Sequence, residues 1–93
     1  MSTVLRFSFN EASLKDEIES DIALAIFTAE CVYGRPRVRM EARYVVDEDG
    51  ATCVLGVDGE AGEAAARVFT GLTSARVGER SFSVRRLQES DGA

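Results

Sequence analysis

The side chains from which enzymes assemble general bases and nucleophile pairs are almost missing from this chain. It contains no histidine and one lysine, Lys15. No imidazole is therefore present to take a proton from serine or cysteine, or to bind a metal. Lys15 sits among Asp16, Glu17 and Glu19, where negative charge favours the ammonium form and opposes the lowered pKa an amine nucleophile needs. Cys31 and Cys53 lack the close spacing of a metal site and are too few for a disulfide scaffold. Cys53 reads as a small core residue. The expectation is a non-enzymatic protein with no catalytic residue, no cofactor and no metal ligand.

Two glycine-bearing segments come nearest to a ligand loop. Val57-Asp58-Gly59-Glu60-Ala61-Gly62 could set backbone N–H groups of a helix start around an anion. Asp58, Glu60 and Glu63 would repel a phosphate, however, and no GK[ST] follows. The segment reads as a tight strand-to-helix turn. Asp47-Glu48-Asp49-Gly50 has an acidic loop's composition but lacks the third ligand before the glycine and the later glutamate of a calcium loop. It reads as a solvated hairpin turn.

Binding surfaces are better represented than reactive groups. If residues 36–46 form a strand, Arg37, Arg39 and Arg43 alternate onto one face with Glu41. The same parity in the flanking strands adds Arg6 and Arg85, with Ser8, Thr52, Val54, Ser81 and Ser83 between them. Five arginines on one face of an acidic chain would suit an acidic peptide, a phosphate-bearing ligand or a nucleic acid. Phe7, Phe9 and Tyr44 fall on the opposite parity, so the base-stacking aromatics of an RNA-reading sheet are not expected there, and nucleic acid is the less favoured ligand. A second surface is the back of the first helix. Ser20, Leu24, Phe27 and Cys31 follow one another at intervals of four, three and four, a short seam of the kind helices use to pack together.

These surfaces need a scaffold, and the periodicities supply one. Leu5, Phe7 and Phe9 alternate with Val4, Arg6 and Ser8, as in a half-buried strand over 3–9. Ser13 with Asp16 resembles a capping box opening a helix over 12–33, whose stripe is Leu14, Ile18, Ile22, Ala25, Ile26, Ala29 and Val32. Gly34 and Pro36 are expected to end it. Strands follow over 36–46, with Val38, Met40, Ala42 and Tyr44 inward, and over 51–57, with Cys53, Leu55 and Val57 inward. Asp58 is the expected cap of a second helix over 60–76, and a last strand covers 80–87 with Phe82, Val84 and Leu87 among its residues. The order β-α-β-β-α-β predicts a ferredoxin-like α+β fold. That is a four-stranded antiparallel sheet with strands one and three central and two helices on one face.

Composition agrees with one small domain over 1–88 and a polar C-terminal tail over 89–93. The chain is 45% apolar and 29% charged, with a net charge of −5, which disfavours generic nucleic-acid or membrane binding. No apolar run approaches the ~20 residues that span a bilayer, and no secretory leader is expected. A reducing, cytoplasmic setting is the expectation. The function expected is a small protein-interaction or assembly module, acting as a homodimer or accessory subunit. Two alternatives stand beside it. One is a small-molecule sensor of the ACT-like kind, in which paired domains hold a ligand at their interface. The other is a reader of acidic peptides or nucleic acid through the arginine face.

Overall fold

The computed structural model describes residues 3–10, 15–47, 51–78 and 80–88. Ser13 of the expected capping box, Leu14 of the expected stripe, residues 48–50 of the expected acidic turn and the expected tail at 89–93 lie outside them. The elements are β1 (Thr3–Phe9), α1 (Lys15–Tyr33), α2 (Arg35–Glu41), β2 (Ala42–Val46), β3 (Thr52–Val57), α3 (Gly59–Val77) and β4 (Phe82–Gln88). The strands form one antiparallel sheet in the order β2-β3-β1-β4, so β1 and β3 are central.

The core follows from strand alternation. Phe7 and Phe9 of β1 and Cys53, Leu55 and Val57 of β3 point to the same side of the sheet, where they meet Ile18, Ile22 and Ala25 of α1 and Ala66 and Phe69 of α3. Both long helices therefore lie on one face. The Phe7 and Phe69 rings meet edge-on, 4.8 Å between centroids at 75°, an arrangement that brings the positive edge of one ring to the negative face of the other. Phe82 of β4 stacks on Phe9 at 5.8 Å. Between the helices, Arg76 of α3 donates from Nε and Nη2 to the two oxygens of Asp21 on α1, both at 2.9 Å. Asp21 is only 3% exposed, and a carboxylate that deep is tolerated because the guanidinium fork satisfies both oxygens.

The third helix is the departure from expectation. Residues 36–41 were expected in the second strand because Val38, Met40 and Ala42 alternate with charged residues. They form α2 instead. Gly34, at φ +89°, breaks α1, and Pro36 lies in the first turn of the new helix. Proline fits there because its fixed φ is already helical and its missing N–H would have had no partner. Helical rotation separates the alternating residues: Val38 is buried among Ala29, Ala42, Ala61 and Ala65, while Met40 is 81% exposed. Val32, expected in the stripe of the first helix, is 72% exposed near the end of α1. Leu87 lies opposite Val4 on the side away from the helices, and Arg86, opposite Leu5, takes the helix-side position.

Candidate interaction surfaces

The face of the sheet turned away from the helices can be read row by row from the strand register. Val45, Val54, Arg6 and Arg85 lie side by side across β2, β3, β1 and β4. The next row is Arg43, Gly56, Val4 and Leu87. Arg6, Arg43 and Arg85 thus occupy the face expected of them, all exposed. Arg37 and Arg39 do not. They stand on α2, where Arg37 Nε donates to Glu41 Oε2 at 3.0 Å and Arg39 Nε lies 3.9 Å from Glu30 Oε2. The reason is the change of period: a helix turns these side chains toward its own i+4 neighbour and back to α1, and the five-residue patch becomes one of three.

That smaller patch is sharply segregated in charge. The four strands contain Arg6, Arg43, Arg85 and Arg86 and no carboxylate. No described carboxylate pairs with Arg6, Arg43 or Arg85. Arg6 and Arg85 are direct cross-strand partners, and like charges in that position repel. Aliphatic side chains share the face. Val45 is 67% exposed, and Met40 lines a dimple of about 30 Å³ with Val4, Arg43 and Gly56, with Glu41 and Asp58 at its α2 and α3 end. Sequence reading missed Met40, because it was assigned to the inward side of a strand. The aromatic Tyr44 opposes Leu55 on the helix side, so the face offers no ring for base stacking.

The α1 seam is where its spacing put it. Ser20, Leu24, Phe27 and Cys31 are all exposed, with Leu24 at 49% and Phe27 at 61%. The buried residues Ile18, Asp21, Ile22, Ala25 and Ala29 occupy the other side of the helix. Asp16, one turn before the seam, and Glu19, immediately before Ser20, are both exposed.

The glycine turn before α3 is filled from within. Asp58 holds the N-cap position but makes no side-chain capping bond. Glu41, the last residue of α2, supplies the carboxylate instead: the Ala61 N–H donates to Glu41 Oε1 at 2.9 Å. The Asp58 N–H donates to the Glu41 carbonyl at 2.7 Å. Arg37, with the Ala61 and Gly62 N–H groups, holds the Glu41 carboxyl below its usual range. The Arg37 guanidinium also lies 5.1 Å from the centre of the Tyr33 ring, tying α1 to the same junction. A helix start that could cradle a phosphate is thus occupied by the chain's own anion.

Other chemistry is sparse. Among the described residues no group of three or more His, Cys, Asp or Glu is placed to hold a metal. Cys31 and Cys53 are free thiols, and burial pushes the Cys53 thiol up to about 11, which removes the thiolate at neutral pH. A half-open groove of about 370 Å³ runs between α3 and β1–β4, floored by Leu5, Val57 and Ala66 and rimmed by Glu63, Arg67 and Arg86. No described helix is long and apolar enough to cross a membrane. No protein-family model matches this chain, and comparison with curated proteins finds no match.

Proposed function

We propose that this protein is a non-catalytic assembly module of ferredoxin-like type, carrying α2 as an added helix and associating with itself or with a larger complex through α1. The observation that supports the reading is the pair Leu24 and Phe27, exposed together on the side of α1 opposite its core stripe. Full burial of such a side chain yields about 1.5–3 kcal/mol, and covering the half of each still exposed yields about half of that; apolar residues that adjoin one another mark contact sites better than scattered ones do. A second copy of the chain is the simplest cover, since a self-complementary patch needs no other gene product. A reducing cytoplasm suits the two free thiols. The test is solution mass by sedimentation across a concentration series, comparing wild type with the double variant Leu24→Ser and Phe27→Glu. Wild type should associate and the variant should remain a folded monomer. A wild type that stays monomeric at all concentrations would refute self-association, and a variant that associates as well as wild type would refute α1 as the contact.

A second reading, small-molecule sensing, draws on the groove beside α3. Arg67 and Arg86 could hold a carboxylate or phosphate above the apolar floor of Leu5, Val57 and Ala66. Thermal shifts produced by anionic metabolites, and lost in Arg67→Ala and Arg86→Ala, would favour it. An acidic-peptide or nucleic-acid reader using Arg6, Arg43 and Arg85 is the third possibility, with the missing aromatics weighing against nucleic acid.

A further inference from the structure

We infer that the occupant of the open sheet face is α1 of a second copy, so that the protein associates head to tail. The inference rests on the self-association proposed above and specifies its geometry. Its basis is that the two exposed surfaces complement each other. The sheet face offers Arg6, Arg43 and Arg85 with no described carboxylate to pair them, beside exposed Val45 and Met40. The outer side of α1 offers Asp16 and Glu19 followed by Leu24 and Phe27. One surface is cationic and aliphatic, the other anionic and apolar. Two sheet faces brought together would oppose arginine to arginine. Two α1 faces together would leave the sheet arginines unanswered.

The layering of the fold decides what such a contact builds. The helices cover one side of the sheet and the arginine face is the other, across a molecule whose shortest extent is 22 Å. A single chain cannot lay its own α1 on its own open face, and a pair that makes the contact once leaves one helix and one sheet face unused. The contact is heterologous, and heterologous contacts repeat into rings or open stacks rather than stopping at two. An aliphatic surface with a shallow dimple at Gly56 suits a helix laid across it. Leu24 and Phe27 then meet Val45, Val54 and Met40, and the acidic first turns of α1 point toward the arginines. Charged groups around such a contact set register and orientation.

Complementation between two full-length variants tests this. The helix variant is Leu24→Ser with Phe27→Glu, which retains its sheet face. The sheet variant is Arg6→Glu with Arg85→Glu, which retains its helix. It exchanges one like-charge pair for another, so its folding should be little changed; far-UV circular dichroism checks this, and Arg85→Glu alone is the milder version. Wild type should form a concentration-dependent series of oligomers that weakens with added salt. Each variant alone should associate at least about tenfold more weakly. Mixed one to one, the two should form a heterodimer of twice the 10.1 kDa chain mass and stop there, since each has one intact surface. If the sheet variant dimerises as well as wild type and the mixture gains nothing, copies pair through α1 alone: this inference is overturned and self-association stands. A wild type monomeric throughout overturns both. Tight binding of the wild-type sheet face to an acidic peptide or RNA, with no complementation, would assign that face to a different partner and overturn the inference as well.

Discussion

Two glycines in one helix should respond to the same substitution with opposite signs. Gly71 lies in the middle of α3, and a Cβ added there meets nothing within 4 Å. Gly71→Ala should recover helix propensity alone, about 0.8–1 kcal/mol, or a rise in Tm of about 4–8 °C for a domain this size. Gly62, one turn into the same helix, gains the same propensity, but its Cβ would overlap the Glu41 carbonyl oxygen and lie 3.1 Å from Val57 Cγ1. That carbonyl is backbone and already accepts the Asp58 N–H, so it cannot swing aside as a side chain would. Overpacking of this kind costs about 1–3 kcal/mol. The upper part of that range applies, because moving α2 off α3 also pulls the Glu41 carboxylate from the Ala61 N–H. The sum for Gly62→Ala is a net loss of about 1–2 kcal/mol. Thermal and urea melts followed by far-UV circular dichroism measure both variants, and an unchanged m-value keeps the comparison two-state. A Gly62→Ala protein as stable as Gly71→Ala would mean that α2 does not end against the first turn of α3, and the account of that junction would fail.

Two further outcomes follow from the same structure. In native protein near pH 8 a thiol reagent should modify Cys31 quickly and Cys53 only after unfolding, because Cys53 is buried and its thiol is pushed up to about 11; fast modification of both, or any fast modification in Cys31→Ser, would contradict the placement of Cys53. The Glu41 carboxyl titrates below its unfolded-state value, so its stabilisation is fully present above the ordinary carboxylate range and is lost as pH falls through the folded-state pKa. Wild type should therefore exceed Glu41→Gln in stability by a constant margin near neutrality, and the margin should shrink in acid. A margin that grows in acid would refute the capping role.

How far local sequence reaches is seen by comparing α1 with α2. The seam of α1 was legible because nineteen helical residues carry enough turns to separate a core stripe, Ile18, Ile22, Ala25 and Ala29, from Leu24 and Phe27 behind it. Strand alternation was equally legible in β3, where every second residue is buried, and in β1, where Phe7 and Phe9 are buried and Leu5 partly so. Arg6, Arg43 and Arg85 fell on the open face for the same reason. Residues 35–41 are ambiguous in sequence because seven residues are too few to distinguish a period of two from one of 3.6. Arg-Pro-Arg-Val-Arg-Met-Glu alternates like a strand yet consists largely of good helix formers with a proline suited to a helix start.

By itself, then, the sequence determined which residues alternate, which repeat at helical spacing, and that no histidine-based chemistry can occur; these are properties of short windows and of composition. Tertiary structure alone decided the fate of residues 35–41. A helix there buries Val38 against Ala29, Ala61 and Ala65 and brings Glu41 to the N-terminus of α3, twenty residues further along the chain. Those contacts join parts of the chain that no local pattern connects, and they outweigh a strand-like alternation because a buried valine and a satisfied helix terminus both stabilise only the helical arrangement.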